Sequence, residues 1–181
     1  MKIVLLFLSL IIISVSCIRN VDYEQVETAT FSTPMSVALL QLDLNQHDFL
    51  DSNNNELAQI EKSFLIDLSE FFYESTTETL DYVTQFSNTF NRGFYCQFEF
   101  RDSDSLLIPI TTPKFLIPAE TAQPIKQTVT YEGSEFDRFI SARWIIVKVD
   151  LENGLPIFPS ENNSLEIQSV IHFNYEITPS S

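Results

Sequence analysis

Glycine is nearly missing: only Gly93, Gly133 and Gly154 occur in 181 residues. That is too few for the glycine-rich loops that cradle phosphate groups, so the nucleotide-binding fingerprints are excluded. No G-x-S-x-G stretch exists, which removes the nucleophile elbow of the α/β-hydrolases. The two histidines, His47 and His172, stand apart, and neither begins H-E-x-x-H. With two cysteines, Cys17 and Cys96, a disulfide framework cannot be built. No apolar run reaches the roughly 20 residues a membrane-spanning helix needs. Basic residues are also few. Ten Lys and Arg face 25 Asp and Glu, for a net charge of −15, with no basic stripe to offset it. Such a surface repels nucleic acid and anionic head groups, so no nucleic-acid partner is expected. Nothing in the chain calls for a cofactor or metal, and no residue stands out as catalytic.

What is present begins with a leader. Met1-Lys2 carries one positive charge, Ile3 to Ile13 is apolar apart from Ser9, and small residues follow at Ser14 and Ser16. This is the layout of a secretory signal peptide. "SVSC", ending at Cys17, resembles a bacterial lipobox, although Ser14 stands where Leu is usual. Residues 1–16 are therefore expected to be removed and Cys17 to become a lipidated N-terminus. Two or more acyl chains would hold it stably in a membrane. Residues 17–26 read as a flexible tether and 27–178 as a single domain.

Sixteen Phe and six Tyr describe a packed, aromatic-rich domain. Its segments alternate with period two between polar turns, which predicts an all-β fold and an antiparallel sandwich. Pro34 is expected to split a strand over 28–44, because proline cannot donate to a ladder. Residues 56–72 fit a helical stripe and a strand face about equally, with the strand favoured over 62–69. In "GFYCQFEFRD", Phe94, Cys96, Phe98 and Phe100 share one face, which makes Cys96 a small buried hydrophobe. "LLIPITTPKFLIPAE" reads as edge strand or connector, and 125–131 as a strand. Ser134 is positioned to cap a short helical turn over 134–141. "ARWIIVKVDL" reads as a central strand. The final strand faces Leu165, Ile167, Ser169, Ile171, Phe173, Tyr175 and Ile177 one way.

Chemistry-bearing groups are sparse. Asp51, Asn53 and Asn55 have the first spacings of a calcium loop, but Glu56 replaces the required glycine and Lys62 the bidentate glutamate. Asp102 and Asp104 are the nearest carboxylate pair and fit a turn better than acid–base chemistry. A glycan or small-ligand site would use exposed aromatics beside polar groups. Tyr95, Gln97 and Glu99, on one strand face, together with Trp144, are the candidates.

The order "QFSNTFNRGFYCQFEFRD", "IPAE", "EFDRFISA" and "LEIQSVIHFNYEI" resembles small lipoproteins of flavobacterial or wider Bacteroidetes type. The resemblance covers roughly residues 80–178. It implies an immunoglobulin-like β-sandwich on the cell envelope. By comparison with enteric lipoproteins, Ile18 rather than Asp after Cys17 favours the outer membrane. The expected function is non-enzymatic interaction or scaffolding with an envelope protein or glycan. A ligand-binding module is the alternative, and an envelope hydrolase a third.

Overall fold

The computed structural model describes residues 31–72, 77–110 and 112–177. The expected leader, Cys17 and the tether lie outside the described residues. Ser32–Ile177 form one compact unit.

Eight strands carry it: β1 (Phe31–Asn45), β2 (Gln59–Leu65), β3 (Thr79–Asn88), β4 (Phe94–Arg101), β5 (Phe115–Ile117), β6 (Ile125–Glu132), β7 (Trp144–Leu151) and β8 (Ser164–Ile177). A 3-10 turn spans Gln46–Phe49, and two short helices follow at α1 (Ser69–Phe72) and α2 (Ser134–Ile140). The strands form two four-stranded sheets, β1-β8-β3-β6 and β2-β7-β4-β5. The β2–β7, β3–β6, β3–β8, β4–β5 and β4–β7 pairs are antiparallel.

The all-β antiparallel sandwich is thus what the protein has. Its finer topology departs from the immunoglobulin-like expectation. In an immunoglobulin domain the first two strands pair within one sheet. Here consecutive strands β1 to β4 alternate between the sheets, and the last strand, β8, inserts between β1 and β3. That interleaving is the jelly roll, two Greek keys wrapped into a double sheet. Period-two alternation is common to both topologies, so a reading of strand faces does not separate them.

Local differences follow from the same physics. β1 runs 15 residues straight through Pro34. It does so because it is an edge strand, where a missing donor is tolerated. The ambiguous 56–72 segment becomes strand β2, with a single helical turn, α1, at its end. α2 begins at Ser134, and its N-cap is Gly133 at φ 53° with no side-chain cap, so Ser134 is the first helical residue rather than the cap. A positive φ is where glycine is needed.

Between the sheets lies a core of aromatic rings. Tyr82 meets Phe98 and Phe100 edge-on at 5.5 and 5.7 Å, and Phe139 of α2 stacks on Tyr131 at 4.9 Å. Phe49, Phe90 and Phe94 close one end. Phe72, Phe136 and Phe173 close the end where β3 begins. Such pairs contribute about 0.5–1.5 kcal/mol each beyond area burial. Cys96 is fully buried on the inner face of β4, as its alternation predicts.

Buried Asn88 and Arg92, with the more exposed Glu56, tie the loops to this core. Asn88, 0% exposed, donates from Nδ2 to the carbonyls of Arg92 and Pro118 at 2.8 and 2.7 Å, and its Oδ1 accepts from the Phe90 N–H at 2.9 Å. Glu56 accepts from Arg92 and from the Ile157 N–H, both at 2.7 Å. The β1–β2, β3–β4 and β7–β8 connections are thereby pinned together.

Candidate functional site

The outward face of β2-β7-β4-β5 gathers all four sequence candidates. On β4, Tyr95, Gln97, Glu99 and Arg101 are half-buried and alternate with fully buried residues. β7 is central, and register sets Trp144 opposite Arg101, Ile146 opposite Glu99, Lys148 opposite Gln97 and Asp150 opposite Tyr95. Directly opposed residues share a face, so Trp144 joins Tyr95, Gln97 and Glu99 on one surface. Within it they lie apart. Tyr95 and Trp144 belong to opposite ends of the β4–β7 ladder, with Gln97 and Glu99 between them.

The two ends differ in chemistry. Around Tyr95 the polar groups already have partners. Lys114 sits over the Tyr95 ring, 5.0 Å from its centroid, and its Nζ is 2.5 Å from Asp150. Asp150 also accepts from Gln59 at 2.6 Å. The Lys114 hydrogen bond, assisted by Gln59 and opposed by partial burial, holds the Asp150 carboxyl below the usual carboxylate range. Glu99 is bonded to Lys148 and also pairs with Arg101 at 3.3 Å. The Lys148 hydrogen bond is the largest of the influences that lower its carboxyl. Both carboxylates are therefore fixed in the charged form, which suits neither a proton donor nor a free ligand anchor.

At the Trp144 end the face turns apolar. One cross-strand row runs Leu65, Trp144, Arg101 and Leu107. Leu65 is 70% exposed and Leu107 60%, while Trp144 between them is half-buried. Arg143, next in sequence to Trp144, pairs with Asp67 at 3.1 Å. Sequence reasoning found Trp144 but not Leu65 or Leu107, whose neighbourhood is set by ladder register alone.

The other sheet holds a second feature. On its outward side a groove of about 250 Å³ contains Ser36, Asp81, Thr130 and His172. Ser36 Oγ is hydrogen-bonded to His172 Nδ1 at 2.7 Å. Asp81 lies opposite His172 in the β3–β8 ladder and accepts from the Thr130 hydroxyl at 2.6 Å. A hydroxyl, an imidazole and a carboxylate thus share one groove. The hydrogen bond to the imidazole comes from Ser36, while the one to Asp81 comes from Thr130. The sequence places His172 on the solvent face of β8, as found, but a bond spanning 136 positions leaves no local signal.

The remaining candidates are occupied by structure. Asp51 Oδ1 accepts the Asn53 and Asn55 N–H groups at 2.8 Å, and the Asn55 backbone bond is the largest influence lowering its carboxyl. Asp102 Oδ1 accepts from Asp104 N and Leu106 N at 2.9 Å, closing a turn. Burial pushes the Cys96 thiol far up, with Asp150 adding to the effect, so it is protonated and inert. Among the described residues no three His, Cys, Asp or Glu side chains group as metal ligands. Among them also, no helix is long and apolar enough to cross a membrane.

No family model matches this chain, and no curated protein matches it. Solved structures match in part. A protein of Parabacteroides distasonis assigned as secreted aligns with TM-score 0.47 and 10% identity, over 62% of this chain and 36% of that one. The chain therefore spans about a third of that protein's length. The virion of Kashmir bee virus aligns with TM-score 0.42 and 10% identity, over 81% of this chain and 74% of that chain. The Triatoma virus empty capsid aligns with TM-score 0.40 and 11% identity, over 81% and 92%. Likeness at this level assigns no activity to the site.

Proposed function

We propose that this chain is an exported, lipid-anchored, non-enzymatic protein of the bacterial cell envelope. It is held at the outer membrane through Cys17 and docks an envelope protein on the outward face of β2-β7-β4-β5. The observation that carries the docking reading is the row Leu65, Trp144, Arg101 and Leu107. Trp144 lies between exposed Leu65 and Arg101, with exposed Leu107 beyond Arg101, and Trp and Arg are the residue types that most often dominate the energetics of a protein contact. The paired, charged state of Glu99 and Asp150 weighs against these two acting as the protonated general acid of a glycosidase pair. Lys114 over Tyr95 weighs against a sugar stacking there. The anchor rests on the leader and the "SVSC" stretch.

A second reading has its own observation. The groove at Ser36 and His172 offers hydroxyl, imidazole and carboxylate groups to a small polyhydroxylated ligand.

Two experiments test the proposal. Mass spectrometry of the mature N-terminal peptide, beside Cys17→Ser, should find a diacylglyceryl mass that the variant loses along with membrane partitioning. An unmodified, soluble product overturns the anchor. A photo-crosslinking residue at position 65 or 107, in intact cells, should give protease-sensitive adducts that position 166 on β8 does not. Glycosidase-sensitive adducts, or none, overturn the docking reading.

A further inference from the structure

We propose that the chain pairs with a second copy of itself along β6, so that two β1-β8-β3-β6 sheets join into one eight-stranded antiparallel sheet. This rests on a different surface from the docking face. A sheet edge is a template for further pairing, and proteins normally blunt it. Three of the four edges here are blunted. β1 carries Pro34, and β5 is only three residues long. β2 places Lys62 on its inward-facing side, between Ile60 and Phe64, where it pairs with Asp48 at 3.2 Å. An inward-pointing charge is a recognised guard against edge pairing.

β6 has no proline, is not short and points no charge inward; its charged residues, Lys126 and Glu132, deter a strand of like charge but not one that sets the opposite sign across from each. It is eight residues long, "IKQTVTYE", free of proline, with a ladder to β3 on one side and no strand beyond it among the described residues. Its outward face, Lys126, Thr128, Thr130 and Glu132, is exposed. Its charges are arranged to match themselves. Antiparallel pairing of two copies about a two-fold axis at Val129 sets Lys126 of each copy opposite Glu132 of the other. Thr128 then faces Thr130, and Val129 faces its own symmetry mate. Opposite-charge and Thr–Thr cross-strand pairs are among those that stabilise a ladder. The half-buried Ile125 and Val129 would lose water as the sheets joined. A two-fold interface requires this kind of self-complementarity.

The test is register-specific crosslinking of the full-length chain in bacterial cells. Opposed residues in an antiparallel pair have Cα atoms roughly 4.5–5.5 Å apart, within disulfide range. Val129→Cys should therefore give a covalent homodimer under mild oxidation at least about fivefold above Ser63→Cys on β2, a fold-difference equal to about 1 kcal/mol. The pair Thr128→Cys with Thr130→Cys, on the exposed face, gives a second route that spares the interior. Within either background, Lys126→Glu or Glu132→Lys alone should cut the yield, since each sets like charges opposite one another. The two together should restore it. Homodimer yield no higher than the β2 control, crosslinks to a different protein instead, or no recovery in the double charge swap overturns the proposal.

Discussion

Asn88 gives the sharpest test of how the fold is held. It is 0% exposed and makes three hydrogen bonds through its side chain. Asn88→Ala removes all three. The Arg92 carbonyl and the Phe90 N–H are left in buried surroundings, while the Pro118 carbonyl is only part-buried and regains water. An orphaned buried group costs about 1–3 kcal/mol, so two of them set the loss at about 4 kcal/mol. That is a large part of the roughly 5–15 kcal/mol that folded domains possess. Trp144 is the one tryptophan in the chain, so its fluorescence follows urea unfolding without interference. Asn88→Asp separates hydrogen bonding from volume. The shape is kept, but both donors are gone and a carboxyl faces two carbonyl oxygens. Its native pKa is then raised above the unfolded value of about 3.9. For an acid the sign is that the penalty is least below that value and deepens as pH rises through it. A loss under about 1.5 kcal/mol in Asn88→Ala, or an Asn88→Asp variant as stable as the parent at pH 7, refutes this account.

Other outcomes are expected on the same grounds. Cys96, buried with a raised thiol pKa, should resist thiol reagents in the native protein and react at once in denaturant; rapid native labelling contradicts its placement. Glu99 has a lowered carboxyl, so its stabilisation is present above the unfolded glutamate value of about 4.3 and is lost as pH falls below it. Glu99→Gln should flatten the drop in stability between pH 5 and pH 3, and an unchanged slope in urea melts at the two pH values counts against the Lys148 pairing. Arg92 is 9% exposed and its partner Glu56 32%. Arg92→Ala should cost about 2 kcal/mol, less than the 3–5 kcal/mol of a fully buried pair, because Glu56 can be rehydrated. Gly133→Ala places a Cβ on a backbone at φ 53°, ψ −126° and should cost about 1–3 kcal/mol in the same melt, although no atom lies within 4 Å of it.

Much of the sandwich was legible because each strand of an antiparallel sheet carries its own evidence. The Phe94–Phe100 alternation states which side of β4 is buried, and that side is the one buried in the protein. Residues apolar at both parities, from Ile145 to Val147, mark β7 as central, and it lies between β2 and β4. The segment 56–72 was ambiguous for a physical reason. Ile60 and Phe64 fit both a helical stripe and a strand face, and the ladder to β7 decides between them. The order of the strands was not legible. Jelly roll and immunoglobulin sandwiches use the same alternation, and what separates them is which edges meet across long connections.

The site divides in the same way. Composition and local pattern determined by themselves the acidic, aromatic-rich chain, the absence of phosphate loops and zinc motifs, the inner position of Cys96 and the common face of Tyr95, Gln97 and Glu99. Local pattern sees only neighbours along the chain. Tertiary structure alone decided that Trp144 lies between Leu65 and Arg101, that Lys114 covers Tyr95, that Lys148 and Arg101 occupy Glu99, and that Ser36 meets His172. These contacts join residues up to 136 positions apart. They exist because interleaved strands bring distant segments within hydrogen-bond reach, a property of the ladder register rather than of any single strand.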